Sequence, residues 1–324
     1  MEYSNSRNPY HDYTSKSIYL VTINKGEGIP DFSRCYDDPS HMNRRYPGVV
    51  ASDVGEAIKN GLRKIEEKFP FTRKNSYIIM PDHVHFILEY LEDADVKLGD
   101  IIANFKTGIR HELKLPGVFA PGFHDRILRH KGQLNRMRNY VMDNPRRRVI
   151  MRNNKEYFGR PQILNLWGEE YTVYGNFLLL RDPVISTVRE SSKFSDKQRK
   201  ALRAEWDETI RSNGVLVSPF IHPAENEIRK KGMEGGASII HIIRDEIGER
   251  YKPSGVEFDL CAEGRLLIIS TEKAKWQPDL SKNEAMAMND LAARLGSKTL
   301  PPLLLRKKEF GRKQPPGREA MKPG

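Results

Sequence analysis

The chain has 324 residues, which is enough for two domains that each bury a core without disulfide bonds. Its 54 lysine and arginine residues outnumber 43 aspartate and glutamate residues, and the formal net charge of +11 favours a polyanionic partner such as nucleic acid. Two distant cysteines, Cys35 and Cys261, exclude a disulfide framework, and the lack of a signal-like N-terminus or an apolar run of about 20 residues predicts a cytoplasmic protein with no membrane partner.

The first half of the chain alternates strand-like and helix-like segments. Three segments are rich in apolar residues that favour strands: residues 17–24, 76–80 and 83–90. Three others are predicted to be helices: residues 49–69, 98–115 and 135–143. The last helix is expected to stop at Asn144-Pro145, because proline disfavours the helical conformation in the residue before it. This order is close to a split βαβ arrangement and predicts one α+β domain over residues 1–150.

The second half is predicted to be a separate α/β accessory domain. Residues 151–170 are strongly basic at their start and are expected to form a linker. Residues 171–285 alternate elements, with helices at 197–212 and 224–233, strands at 214–220 and 237–243, and a paired segment at 257–270. Residues 286–324 are expected to be a disordered tail, because lysine, arginine, proline and glycine dominate their end.

His83 and His85 are the first candidate site residues. Side chains alternate along a strand, so both imidazoles project on the same side of the segment MPDHVHFIL. Neutral imidazole is a common ligand for divalent metals, but two ligands leave a site unfinished. On these residues alone, a pair of solvated strand histidines is the favoured interpretation.

Tyr140 and Asn144 are the second pair, and their four-residue spacing places them on one helix face. If that face packs toward the histidine strand, the Asn144 oxygen can complete a metal site and Tyr140 can attack a phosphate that the metal polarises. The alternative makes Tyr140 a half-buried helix aromatic and Asn144 only the end of the helix.

Together these motifs resemble one family. The string YIIMPDHVHFIL, followed by GFHDRILR and NYVMDNP, is similar to the REP-associated tyrosine transposases over about residues 12–150. These belong to the single-tyrosine HUH transposases, where HUH means histidine, hydrophobic residue, histidine. One difference is Asp82, which stands where the family usually has asparagine and would add negative charge beside the site.

The resemblance implies a fold, a cofactor and a reaction. The fold would be a ferredoxin-like HUH domain, an antiparallel sheet with helices on one face. His83, His85 and Asn144 would hold Mg²⁺ or Mn²⁺, and Tyr140 would become joined to a 5′-phosphate during cleavage and rejoining of single-stranded or hairpin DNA, as in DNA transposition. The protein would act as a monomer or homodimer.

Basic side chains supply candidate DNA contacts, with a solvated basic surface as the alternative. The predicted contacts are Lys106, Arg110, Arg126, Arg129, Arg146 and Arg147. His124 in GFHDR has no spacing that predicts a ligand. In the second half, VSPFIHPAE, GGASIIHII and FDLCAEGRLLII are faintly similar to the Rossmann-like layer of DNA-processing protein A. Ser218, Glu225 and Gly264 are the first residues there to examine for a pocket.

Three rival functions use similar residues. A catalytically silent DNA-binding regulator would keep the basic surface without turnover. A histidine-based nucleotide hydrolase would need a third histidine at position 87, which is Ile87. A replication initiator or relaxase shares the histidine pair but usually has a larger domain.

Overall fold

Residues 8–38, 40, 42, 48–130, 132–272, 281–297 and 300–310 are described by a computed structural model. Contacts divide the chain into two units, Met1–Asn153 and Asn154–Gly324. Among the described residues, no helix is both long enough and apolar enough to cross a membrane.

The first unit consists of an antiparallel sheet with helices. Its elements are β1 (Ile18–Asn24), β2 (Ser33–Cys35), β3 (Val49–Ala51), α1 (Asp53–Lys68), β4 (Thr72–Ile79), β5 (His83–Tyr90), α2 (Leu98–Leu113), β6 (His124–Leu128) and α3 (Gln133–Asn153). Four strands form a sheet in the order β4-β5-β1-β6, and β2 pairs with β3 in a separate hairpin. The predicted α+β class, the strand over 83–90 and the helix beginning at Leu98 are confirmed.

Both faces of the four-stranded sheet are covered. Val21 and Phe86 point into a core with Ile58 of α1 and Ile101 of α2. The opposite face packs against α3 through these buried residues: Leu20, Ile78, Met80, Ile87, Val141 and Val149. The expectation that the helices lie on one face is therefore wrong. The strands β1 and β5 have apolar side chains at both alternating sets of positions, so each face needs a cover.

Helix α3 does not stop at Asn144-Pro145 as predicted, but continues to Asn153. Val141, Pro145 and Val149 recur at four-residue intervals and are all buried. Proline inside a helix costs about 3 kcal/mol through a lost hydrogen bond and a steric clash. Burial of this stripe against the sheet offsets that cost, so tertiary packing overrides the local signal.

Helix α1 begins later than the predicted residue 49, because residues Val49–Ala51 form strand β3 instead. Ser52 caps the helix, and its side-chain oxygen accepts a hydrogen bond from the Gly55 amide at 3.2 Å. Gly55 lies against the backbone of Phe32, whose carbonyl oxygen also accepts a bond from the Ser52 amide. The start of α1 is therefore fixed by a close backbone approach that a side chain would block.

Gly55→Ala is expected to destabilise the first unit by about 1–3 kcal/mol, since the new methyl group would overlap the Phe32 carbonyl oxygen. Gly108→Ala in α2 is the matched control, because no atom lies within 4 Å of the added carbon. That variant is expected to gain about 0.5–1 kcal/mol from helix propensity. Urea denaturation followed by circular dichroism measures both changes, and equal midpoints would contradict the packing account.

The second unit is built on a seven-stranded mixed sheet in the order β13-β7-β8-β12-β11-β10-β9. Its strands are β7 (Gln162–Leu166), β8 (Glu169–Gly175), β9 (Ile185–Thr187), β10 (Val215–Ser218), β11 (Ser238–Ile243), β12 (Leu266–Ser270) and β13 (Leu304–Lys307). Its helices are α4 (Asp196–Arg211), α5 (Pro223–Glu234), α6 (Val256–Ala262) and α7 (Lys282–Gly296). Strands β9 to β12 are parallel, and β8, β7 and β13 extend the sheet in antiparallel pairs.

Three predictions for this half need correction. The expected linker over 151–170 contains the end of α3, all of β7 and the start of β8. The expected paired segment at 257–270 is mostly helix α6 followed by strand β12. The predicted tail begins within α7 and contains β13, while residues 298–299 and 311–324 lie outside the described part. Helix α7 buries Met288, Leu291 and Leu295, an apolar stripe that the basic composition obscured.

Candidate functional site

His83 and His85 lie on the α3 face of the sheet, in neighbouring rows. Across the β1–β5 ladder His83 pairs with Asn24 and His85 with Thr22. The two imidazole rings have centroids 4.5 Å apart in an edge-to-face arrangement. His85 is buried at 7% exposure, whereas His83 is partly exposed. The alternation predicted from the sequence therefore brings the rings together at the edge of the buried face.

Burial fixes the state of His85. Its Nδ1 lies 2.7 Å from the hydroxyl oxygen of Thr22. Burial, followed by the neighbouring His83, lowers the pKa of His85 to about 3, so the ring is neutral at physiological pH. Because Nδ1 is engaged with Thr22, Nε2 is the nitrogen that this ring can offer to a cation.

Asp82 orients His83. The Nδ1 of His83 lies 2.8 Å from Oδ1 of Asp82, and an ionised carboxylate can only accept, so His83 donates from Nδ1. Arg148 on α3 donates from Nη1 to both Asp82 oxygens, at 2.9 and 3.0 Å. These bonds from His83 and Arg148 hold the pKa of Asp82 well below its ordinary value. A carboxylate behind a ligating histidine fixes the tautomer that leaves Nε2 available for a metal.

Helix α3 places the predicted nucleophile beside the histidines. The Tyr140 ring centroid lies 5.9 Å from that of His85, and Tyr140 is 41% exposed. Asn144 donates from Nδ2 to the Tyr140 carbonyl oxygen at 2.8 Å, which leaves its own side-chain oxygen as the atom able to bind a cation. A phenol at this place can approach a phosphate ester held next to the histidine pair.

The side chains at this place fit a divalent cation only if an asparagine oxygen is counted among the ligands. Within the described residues, no group of three or more His, Cys, Asp or Glu side chains could hold a metal. A site here would therefore use His83 and His85 nitrogens with the Asn144 oxygen as third ligand. The carbonyl oxygen of the Asn144 side chain is a ligand type that suits Mg²⁺ and Mn²⁺, and Mg²⁺ binds with few protein ligands because it keeps several waters.

Lys106, which was predicted to contact DNA, is engaged within the protein. Its ammonium donates to the carbonyl oxygens of Ala120 and Gly122, at 2.7 and 2.5 Å, and so holds the loop before β6. Burial lowers its pKa to about 8. Lys106 and exposed Arg110 also belong to α2, which packs on the sheet face opposite to the histidines.

The other predicted basic contacts lie on β6, just after it, or on α3. Arg126 on β6 is exposed and pairs with Leu20, which places it on the α3 face. Arg129 follows that strand and is exposed as well. On α3, Arg146 forms an ion pair with Asp143 at 2.6 Å, and Arg147 is half-buried. Of the six predicted residues, Arg126 has the position best suited to contact a DNA strand that crosses this face of the sheet.

Two features were missed from the sequence. His124 pairs with Thr22 across β1–β6, so it shares a row of the sheet with His85, which pairs with the same threonine. Only the unpredicted strand β6 reveals this position. Arg148 was not among the predicted site residues, although its four-residue spacing from Asn144 would have indicated the same helix face once the helix was extended past Pro145.

The residues suggested for the second unit do not form one pocket. Ser218 ends β10, where its side-chain oxygen accepts from the Phe220 amide. Glu225 is buried and accepts from the amides of Glu190 and His222, at 2.9 and 3.1 Å. Gly264 precedes β12, at the opposite edge of the parallel strands from Ser218. These residues support turns and a helix start instead.

Comparisons with known proteins give limited similarity. No protein-family model matches the chain. An uncharacterized protein of Haemophilus influenzae is 22% identical over 160 residues, which cover 42% of this chain and 84% of the relative. Among solved structures, a REP-associated tyrosine transposase bound to a REP hairpin is 14% identical, with 47% of this chain and 76% of that chain covered and a TM-score of 0.30. These similarities assign no family, so the function is inferred from the side chains of the site.

Proposed function

We propose that the first unit cleaves and rejoins single-stranded or hairpin DNA, with Tyr140 as the nucleophile. The observation that carries this proposal is the exposed Tyr140 phenol beside His85, a buried and neutral imidazole in edge contact with His83. A solvated pair of strand histidines would need neither the burial of His85 nor a carboxylate that orients His83. Chemistry on a phosphodiester accounts for all of these features together.

In the proposed reaction the Tyr140 oxygen attacks phosphorus and the bond from phosphorus to the 3′ oxygen breaks. The phenol loses its proton, the departing 3′ oxygen gains one, and a 5′-phosphotyrosine remains. Rejoining reverses the step when a 3′-hydroxyl attacks this ester and returns Tyr140 to a phenol. Because the ester preserves the bond energy, the cycle needs no external energy source.

Mg²⁺ or Mn²⁺ is the proposed cofactor, held by His83, His85 and Asn144. When bound, it would polarise a phosphate oxygen and counter the charge that develops during displacement. The chain's own residues prepare that position. Thr22 and Asp82 engage the Nδ1 atoms of the two rings, and the Asn144 bond to the Tyr140 carbonyl keeps ligand and nucleophile on one helix turn.

The test is covalent adduct formation. Full-length protein is incubated with Mg²⁺ or Mn²⁺ and a labelled pool of single-stranded hairpin oligonucleotides with randomised flanks, then resolved under denaturing conditions. We expect a labelled protein band that Tyr140→Phe abolishes, because phenylalanine lacks the attacking oxygen. Tyr36→Phe is the control, since Tyr36 is also exposed and should keep the band.

Two outcomes would contradict the proposal. An adduct that persists in Tyr140→Phe would show that another residue is the nucleophile. Tight binding of the same DNA by the wild-type protein without any adduct would favour the catalytically silent regulator.

A further inference from the structure

The side of helix α3 that carries the proposed nucleophile and metal ligand continues with two further polar side chains. Tyr140, Asn144, Arg148 and Arg152 recur at four-residue intervals along it. Such residues lie along one side of a helix, and twelve residues span about 18 Å. The stripe is continuous only because the helix passes through Pro145. Two arginines therefore extend the line that starts at the proposed nucleophile.

The two arginines open onto a cleft of about 550 Å³. Its lining includes Arg34 on β2, Arg148 and Arg152 on α3, Asp37 and the apolar Val50. Val50 is 48% exposed, and Arg34 is exposed as well. The cleft thus has basic side chains from two separate elements, which can neutralise backbone phosphates, and an exposed apolar side chain beside them.

The arginines are held in place by weak partners. Arg148 pairs with Asp82, whose side chain is 52% exposed, and Arg152 pairs with Asp37 at 2.8 Å, whose side chain is 87% exposed. Ion pairs this exposed contribute little to stability, so a phosphate can replace the carboxylate at small cost. Guanidinium groups bind phosphate through paired hydrogen bonds, and groups already ordered lose less entropy on binding.

We infer that the cleft formed by Arg34, Arg148 and Arg152 binds the phosphodiester backbone of a single DNA strand that continues from the phosphate beside Tyr140. This inference rests on the proposed function, because it takes that phosphate as the start of the path. The arginines would bind phosphates, so they set the position of the strand and do not read its sequence.

The experiment measures DNA binding without catalysis. Tyr140→Phe protein in EDTA is titrated with a fluorescent hairpin that has a single-stranded tail, and anisotropy is recorded over a series of NaCl concentrations. For each phosphate of a single strand that a variant no longer neutralises, the slope of log K against log salt should fall by about 0.7. Arg148→Gln with Arg152→Gln should therefore reduce it by about 1.4 and weaken binding roughly tenfold at fixed salt.

Matched variants separate the cleft from general charge. Arg63→Gln with Lys64→Gln removes two exposed charges from α1, which covers the other sheet face, and should leave the slope unchanged. Arg34 lies on β2 and not on α3, and Arg34→Gln alone should reduce the slope by about 0.7. Circular dichroism melts of each variant establish that the fold is retained.

Several results would overturn the inference. An unchanged slope in both cleft variants would do so, as would an equal reduction in the α1 control. Competition by a decaglutamate peptide as strong as that by DNA would assign the cleft to an acidic protein segment. The expected slope changes combined with a wild-type protein that forms no adduct would refute only the proposed reaction, whereas a normal adduct with an unchanged slope would refute only the cleft.

Discussion

Replacing His83 and His85 together with alanine is expected to reduce metal-dependent adduct formation by more than about 100-fold. Loss of an outer-shell partner of a metal ligand typically costs about 10- to 100-fold, and here two of the three proposed ligands are removed. The measurement is the initial rate of adduct formation in Mg²⁺ and in Mn²⁺. Binding of Mn²⁺ is followed in parallel by electron paramagnetic resonance of the free ion, and it should be lost in the same variant.

His130→Ala is the matched control for the histidine pair. His130 is exposed in the loop after β6, where its backbone amide donates to Oε1 of Gln133 at 3.0 Å and its carbonyl oxygen accepts from the Gln133 amide at 3.1 Å. Both adduct rate and Mn²⁺ binding should stay at wild-type levels in this variant. If the His83/His85 variant bound Mn²⁺ as tightly as wild type, the proposed ligand set would be wrong even if activity fell.

Val149→Asp is expected to destabilise the first unit by about 3 kcal/mol or more. Val149 is 1% exposed and packs with the sheet residues Leu20 and Ile87, so a carboxyl group there would have to be buried without a partner or pull α3 from the sheet. Val141, Pro145 and Val149 form one buried stripe on α3. If Val149 no longer packs on the sheet, the part of the helix that carries Tyr140 is also held less firmly.

Urea denaturation followed with two probes can show which of the two units Val149→Asp destabilises. All three tryptophans, Trp167, Trp206 and Trp276, lie after residue 153 in the sequence, so tryptophan fluorescence follows the second unit and circular dichroism follows both. The variant should unfold at lower urea by circular dichroism with an unchanged tryptophan midpoint. Asn135→Asp adds the same carboxylate at an exposed position of α3 and should leave both transitions in place. A normal circular dichroism midpoint for Val149→Asp would disprove the packing role.

Short-range periodicity predicted which candidate site residues share a face. Strand alternation puts His83 and His85 on one face, and helical spacing puts Tyr140 above Asn144. Both rules are local, so they needed no knowledge of tertiary structure. The partners of these residues depend on contacts between distant elements. Thr22 reaches His85 through strand pairing, and Arg148 reaches Asp82 from a helix that was expected to have ended.

The errors in the predicted fold have a common cause, since local signals were opposed by packing. Pro145 predicts a helix end, but the buried stripe carries α3 through it. The segment His124–Leu128 mixes charged and apolar residues and gives no strand signal, yet pairing with β1 makes it a strand. The Leu304–Lys307 segment likewise becomes a strand by pairing with β7. Backbone hydrogen bonds across a sheet are not encoded in any single segment.

Asp82 makes the histidine pair and the arginine cleft parts of one thermodynamic system. The same carboxylate accepts hydrogen bonds from His83 and from Arg148. If Arg148 leaves Asp82 to bind an anion, the electrostatic environment of the His83 imidazole changes. By linkage, if a bound DNA strand changes the affinity of the protein for the cation, the bound cation must change the affinity for the DNA strand by the same factor. Asparagine at this position would remove most of that coupling, because a neutral amide carries no charge for the two partners to share.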